Sequence, residues 1–257
     1  MQLSALFTLD GKVALITGGN RGIGLGMADA LGSAGAHVVV AGRSHERNDD
    51  AVHKLKEKGY DASAITIDVR SQDSCQSAIE EIDARLGRLD ILVNCAGMNI
   101  RKLPEDYSDD EISQIIDTNL IAPMRLSVAA KAIMVRNGGG KIINVGSLFT
   151  SRGGARFAPY AMSKGGLYNL TQSQAAAWAS ENIQVNIVLP GWIDTELTRK
   201  SRIDLPELEG IVSAKTPAGR WGQPEDLAGV TIFLASSASN FITGSAIAVD
   251  GGFSATV

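Results

Sequence analysis

Cysteine is almost missing from this chain. Only Cys75 and Cys95 occur, too few for a disulfide framework or a zinc centre, so two free thiols are expected. Histidine is equally scarce. His37, His45 and His53 all fall within the first 53 residues and lack metal-ligand spacing, so solvated or helix-surface places suit them and no metal site is expected. Cations do not dominate either: 24 Lys and Arg stand against 28 Asp and Glu, a formal net charge of -4. That balance argues against a general nucleic-acid binder, although one cleft can still be basic. No apolar run approaches the roughly 18 residues that a membrane span requires. Residues 1–10 carry no Lys or Arg and do not read as a signal peptide. A soluble, cytoplasmic protein with neither a membrane nor a nucleic-acid partner is the expectation.

What is present suits one domain: 257 residues, of which 44% are hydrophobic, enough for a sizeable core. β-rich runs at Val13–Thr17, His37–Ala41, Ala64–Ile67, Ile91–Asn94, Lys141–Val145, Gln184–Leu189 and Ala246–Val249 alternate with helical stretches. The helical stretches fall near Ile23–Ala34, Glu46–Lys58, Gln72–Leu86, Asp109–Arg136, Ser163–Ser180 and Pro224–Ala235. Several strand runs are apolar throughout, as strands covered on both faces are. The order predicts an α/β fold, a doubly wound parallel sheet in a single domain spanning 1–257. Gly191–Gly219 shows no convincing long helix and reads as a surface loop or a lid.

The first strand runs directly into Thr17-Gly18-Gly19-Asn20-Arg21-Gly22-Ile23-Gly24. Glycines between a strand and a helix let the backbone turn tightly and approach a pyrophosphate at the positive helix end. The second strand ends in Gly42-Arg43-Ser44, where an NAD-preferring protein usually places an acid for the ribose 2′-hydroxyl. A small residue followed by a cation suits a 2′-phosphate, which points to NADP, with NAD as the alternative. Arg21 is a second candidate for that phosphate, since a guanidinium pairs with it bidentately.

Tyr160 and Lys164 are spaced i, i+4, with Ser147 thirteen residues before the tyrosine at the end of a predicted strand. A tyrosine is a poor acid–base catalyst near neutrality until an ammonium stabilises its phenolate. Lys164 fits that need, and Ser147 fits a hydrogen bond to a substrate oxygen.

Taken together, these motifs resemble the short, roughly 250-residue branch of the short-chain dehydrogenase/reductase family, whose sheet is of the Rossmann type. The likeness runs through residues 17–24, Asp68, Asn94-Cys95-Ala96-Gly97, Asn119, Ser147, Tyr160-Ala161-Met162-Ser163-Lys164 and Pro190-Gly191. Cys95 departs from it, since the family more often has a second Asn there. The resemblance implies a cofactor held by Gly18, Asn20, Arg21, Gly22, Ile23, Gly24, Arg43, Ser44, Asp68, Val69, Asn94, Ala96, Gly97, Pro190, Gly191, Ile193 and Thr195. Asp68 and Val69 would meet the adenine, and Ile193 and Thr195 the carboxamide end. Tyr160 would be general acid in reduction and base in oxidation. Lys164 would also hold the nicotinamide ribose, and Asn119 a proton-relaying water. Homotetramers assembled through the helices near 109–136 and 163–180 are common in the family.

Two other mechanisms fit poorly. A serine hydrolase would need a Gly-x-Ser-x-Gly elbow around Ser147 and a nearby histidine, and neither is present. A non-catalytic dinucleotide-binding scaffold could have dispensed with Tyr160, Lys164 or Ser147, yet all three are kept. For the substrate, Arg152 and Arg156 lie between Ser147 and Tyr160, and Arg101 follows the Asn-Cys-Ala-Gly run. Three cations aimed at one cleft suit an anion such as a sugar acid; solvated arginines are the competing view. Arg156, nearest Tyr160 in sequence, is the expected main anchor. The wider pattern is similar to gluconate- and ketodeoxygluconate-type dehydrogenases, with a β-ketoacyl or general ketone reductase as the alternative.

Overall fold

The structure, a computed structural model, describes residues 3–255. Strands β1 (Val13–Thr17), β2 (His37–Gly42), β3 (Ala62–Thr66), β4 (Ile91–Asn94), β5 (Gly140–Val145), β6 (Ile183–Pro190) and β7 (Ala246–Val249) form one sheet ordered β3-β2-β1-β4-β5-β6-β7. Every neighbouring pair is parallel. The helices are α1 (Leu3–Phe7), α2 (Gly22–Ser33), α3 (His45–Glu57), α4 (Gln72–Leu86), α5 (Asp109–Ile116), α6 (Ala122–Arg136), α7 (Ala158–Trp178), α8 (Glu196–Asp204), α9 (Leu208–Lys215) and α10 (Ala228–Ala235).

Alternation along each strand builds two cores. Ala14 and Ile16 of β1 and Val38 and Val40 of β2 pack with Met27, Leu31, Leu55 and Leu234 from α2, α3 and α10. Val13, Leu15 and Val39 face the other way, against Ile79, Ile82, Leu126 and Ala175 from α4, α6 and α7. Because both faces are covered, the central strands read as unbroken apolar runs. Inside the second layer, Asn94 donates to Asn144 at 2.8 Å and Asn144 to Thr171 at 2.9 Å, tying β4, β5 and α7 together.

Four expectations are corrected. β3 is Ala62–Thr66 rather than Ala64–Ile67. The stretch Asp109–Arg136 is not one regular helix, because a π turn at Asp117–Ile121 separates α5 from α6. Pro123 explains the turn: it has no N–H for the Asn119 carbonyl, and its ring crowds that oxygen in a regular helix. Gly191–Gly219 contains α8 and α9, hidden in the sequence because charged residues blur any apolar stripe. Pro224–Ala235 begins as a 3-10 turn at Pro224–Leu227 before becoming α10.

The closest approach in the first βα unit lies where α2 meets the Gly-rich turn. A Cβ on Gly24 would collide with the Gly18 carbonyl, so Gly24→Ala must push α2 off the sheet. Overpacking of this kind costs about 1–3 kcal/mol. The variant is expected to melt several degrees below wild type in a thermal scan and to lose dinucleotide binding; an unchanged melting temperature would contradict the packing described.

Candidate active site

The strand order reverses between β1 and β4, and a parallel sheet opens a crevice at the carboxyl ends there. Thr17 of β1 is in register with Asn94 of β4, so the Gly-rich turn and the segment after Asn94 face each other. Gly18 has φ +67, and a Cβ on it would stand 3.0 Å from Ala96 Cα. Only glycine satisfies both constraints. The buried Thr17 hydroxyl accepts from the Cys95 and Ala96 N–H groups, each at 3.2 Å, and fixes the facing segment. Arg21 is the N-cap of α2 and offers no side-chain cap, leaving the first N–H groups for an anion. A backbone cradle that a Cβ would fill, below an uncapped helix, fits a dinucleotide pyrophosphate.

At the end of β2 the fit favours a 2′-phosphate. A Cβ on Gly42 would lie 2.5 Å from Asn20 Nδ2 and 2.8 Å from Asn48 Oδ1, so an acid has no room there. Asn48 is fully buried. It donates to the Gly42 and Ile65 carbonyls at 2.9 and 3.1 Å and accepts from Asn20 at 2.7 Å. Arg43 is exposed beside this clamp, and Ser44 caps α3 through the Arg47 N–H. Arg21 pairs with Glu196 of α8 at 2.9 Å, and Arg47 stands 3.9 Å from the same carboxylate. Asp68 and Val69 follow β3 at the same edge; Asp68 is half-exposed and accepts from the Arg70 N–H.

The Asn94 side chain is buried between Asn144 and Ser127, so its amide braces the sheet and only its backbone is left for the crevice. Pro190 and Gly191 close β6, where a Cβ on Gly191 would come within 2.6 Å of Asp250 Cα. Ile193 is buried and bridges to Gly222. Thr195 reaches back over the Gly-rich turn, its methyl 3.2 Å from where a Gly22 Cβ would be. Behind them Trp192 and Trp221 meet edge-on at 5.5 Å, and Arg202 lies 4.6 Å from the Trp221 ring. The segment from 192 to 221 is therefore a folded flap with its own small core of Leu208, Val212 and Trp221.

The reactive group lies where β5 and α7 converge. Ser147 caps a 3-10 turn at Leu148–Thr150. Tyr160 and Lys164 occupy the first turns of α7. Burial pushes the pKa of the Tyr160 phenol up, and the neighbouring Ser147 hydroxyl and Arg101 offset only part of that rise. Lys164 is 5% exposed and donates to the Val145 carbonyl at 2.7 Å, its nitrogen 5.8 Å from the Tyr160 ring centre. Burial lowers its pKa to about 8. Cys95 lies within the field of both, and burial raises its thiol to about 11, so it stays neutral. Asn119, in the π turn, accepts from the Met98 N–H and donates to the Met98 carbonyl, both at 2.9 Å, and to Ser163 at 3.1 Å. Ser163 in turn donates to the Tyr160 carbonyl at 2.7 Å. Asn119 thus fixes the loop after β4 against the helix that carries Tyr160.

The three arginines do not converge as expected. Arg101 lies over the Phe157 ring at 5.2 Å and acts on Tyr160. Arg152 turns away to the Ser254 carbonyl. Arg156, the expected anchor, is exposed. Sequence reading also missed Phe149 and Phe157, which stack at 4.2 Å; Phe149 meets Tyr160 edge-on at 6.1 Å. It missed Asn48 as well. No periodicity marks these residues, because their partners are distant in sequence.

A doubly wound sheet with a glycine cradle after β1 and a Ser–Tyr–Lys group after β5 defines a nicotinamide-dependent oxidoreductase. A family model described as enoyl-(acyl carrier protein) reductase matches residues 18–254. The 2-dehydro-3-deoxy-D-gluconate 5-dehydrogenase of Formosa agariphila is 39% identical over 98% of this chain and 96% of its own. The gluconate 5-dehydrogenase of Gluconobacter oxydans is 37% identical over 98% of both chains. A crystal structure of gluconate 5-dehydrogenase from Burkholderia cenocepacia, in complex with NADP and tartrate, superposes with a TM-score of 0.95 at 38% identity and covers 100% of both chains. The chain belongs to the short-chain dehydrogenase/reductase family and is an NAD(P)-dependent dehydrogenase acting on a CH–OH group.

Lys164 is the group whose state is most open to measurement. Its ammonium is expected to titrate about pH 8, followed through the ε-carbon resonance of 13C-labelled protein. Titration above pH 10 would mean that the ammonium is hydrated and the enclosure described is wrong.

Proposed function

We propose that the protein transfers a hydride between NADP(H) and a secondary alcohol or ketone of a sugar acid of the gluconate class. The observation that carries this reading is Tyr160 close to Ser147 and beside the buried Lys164, whose nitrogen lies 5.8 Å from the Tyr160 ring centre. In reduction Tyr160 gives its proton to the substrate oxygen, and in oxidation it takes that proton back. Lys164 stabilises the phenolate left behind, and Ser147 donates to the same oxygen and orients the substrate. Asn119 keeps the loop and helix in register and borders the proton route to Lys164. The nicotinamide, when bound, supplies or accepts the hydride.

Gly18, Asn20, Arg21, Gly22, Ile23 and Gly24 hold the pyrophosphate end, and Asp68, Val69, Ala96 and Gly97 line the adenine side. Pro190, Gly191, Ile193 and Thr195 border the nicotinamide. The blocked position at Gly42, with Arg43 and Ser44 beside it, supports NADP over NAD. Arg101, over the Phe157 ring beside Tyr160, supports an anionic substrate, and Arg156 lies next to Phe157 on the segment before α7. Tartrate in the Burkholderia relative is a hydroxy dicarboxylate, which agrees with an anion-binding pocket.

No helix among the described residues is long and apolar enough to cross a membrane, and we place the protein in the cytoplasm. We further read it as a homotetramer, supported by Met124, Val128 and Val135 lying exposed along α6.

The test compares a keto sugar acid with the uncharged ketose of equal length, using NADPH and NADH at fixed ionic strength. The acid with NADPH is expected to give the highest kcat/KM. Arg43→Ala is expected to weaken NADPH binding about tenfold to a hundredfold, as loss of a charge-assisted contact does, and NADH binding little. A preference for the neutral sugar would reject the substrate class; equal losses for both cofactors would reject the 2′-phosphate site.

A further inference from the structure

One hydroxyl in the mouth of the cleft has more partners than its exposure explains. Tyr107, between a 3-10 turn at Pro104–Asp106 and α5, directs its phenol back into the loop that follows β4. The hydroxyl contacts the Ile100 carbonyl at 2.6 Å and accepts from the Lys102 N–H at 3.3 Å. Those are the two neighbours of Arg101, so the backbone of that residue is pinned on both sides. The same hydroxyl lies 3.2 Å from the Arg156 carbonyl, on the segment that leads into α7. The single phenolic hydrogen is shared, with the shorter contact to Ile100 dominant.

The loop has independent anchors at its far end. Lys102 pairs with Glu111 at 2.7 Å, and Glu111 completes the capping box of α5 with Ser108. Lys102 and Glu111 therefore settle where the loop ends, while the Tyr107 hydroxyl ties the loop to the segment before α7. The Arg101 guanidinium lies over Phe157, which stacks on Phe149, which meets Tyr160 edge-on. The aromatic wall continuous with the reacting phenol is thus met by a cation whose backbone Tyr107 holds.

We propose that Tyr107 is a positioning residue for the anionic end of the substrate, stapling the loop that carries Arg101 to the segment that carries Arg156. This rests on the sugar-acid reading. The hydroxyl does not touch the reacting atoms; it fixes the Arg101 backbone against the segment leading into α7 before substrate arrives. A carboxylate bound at Arg101 meets a cation already placed, which lowers the ordering cost of binding. The carbonyl end of the substrate depends instead on Ser147 and Tyr160 and is indifferent to the staple.

The experiment is steady-state kinetics at saturating NADPH on wild type, Tyr107→Phe, Arg101→Ala and the double variant. Each is given a keto sugar acid and the uncharged ketose of equal length, and NADPH binding is followed by fluorescence titration. Tyr107→Phe is expected to raise KM for the acid about three- to tenfold, the range of one lost hydrogen bond. Its kcat, its KM for the ketose and its NADPH affinity are expected to stay within about twofold of wild type on the same scale. In the Arg101→Ala background the added Tyr107→Phe change is expected to leave the acid-to-ketose ratio unmoved, because the two residues act in series. Equal changes for both substrates overturn the proposal, and so does an unchanged ratio in the single variant. Partial loss of folding scales both substrates alike, so it returns the overturning result rather than the expected one. A wild type with no preference for the acid would overturn the sugar-acid reading as well, whereas an intact preference that survives Tyr107→Phe overturns the role of Tyr107 alone.

Discussion

An ammonium held out of water at the end of a sheet is the constraint around which this site is built. Lys164 is buried, and the Val145 carbonyl accepts from it at 2.7 Å. A cation in such a place is costly unless it is paired or can shed its proton, and its lowered pKa of about 8 expresses that cost. The same burial gives the charge its reach, because the surroundings screen it little. Tyr160 is pushed towards its neutral form by burial and drawn back by Ser147 and Arg101. Burial therefore disfavours the charged form of both groups, and at Tyr160, whose pKa stays raised, Ser147 and Arg101 balance only part of it.

That balance depends on parts that touch no reacting atom. The turn at Asp117–Ile121 exists because Pro123 cannot continue a regular helix. It places Asn119 between Met98 and Ser163, and through Ser163 against the backbone of Tyr160. On the opposite side Thr17 holds Cys95 and Ala96, so the floor of the crevice is fixed from both strands that flank the switch in strand order. Over the top, the flap is tethered by the pair between Glu196 and Arg21. Exposed pairs of this kind are weak, so most of what holds the flap is its own core and the Ile193–Gly222 bridge.

Much of this was legible in the sequence, for identifiable reasons. β1, β2 and β4 carry unbroken apolar runs at Val13–Ile16, Val38–Ala41 and Ile91–Val93 because both faces are buried there, and the Gly-rich turn is marked by residues that steric limits dictate. Tyr160 and Lys164 are neighbours through helical spacing alone. What was not legible depends on contacts across the chain. Asn94 matched a motif, yet its amide serves the interior. Arg156 was nearest Tyr160 in sequence, but Arg101, arriving from another strand, stands over the aromatic wall. Asn48 and Tyr107 are ordinary polar residues in ordinary places until the fold gives each three partners. Helices α8 and α9 escaped because a flap over a cleft needs little apolar stripe.

The central claim is that Tyr160 protonates a sugar-acid ketone as a hydride arrives from reduced NADP. It is tested most directly with NADPH deuterated at the nicotinamide C4, followed by mass analysis of the product. Wild type is expected to deliver deuterium to the new carbinol carbon of the sugar acid. Tyr160→Phe is expected to bind NADPH normally and to transfer deuterium about 10²–10⁴ times more slowly, the contribution of a general acid. A sugar-acid product without deuterium, or transfer undiminished in Tyr160→Phe, would contradict the account.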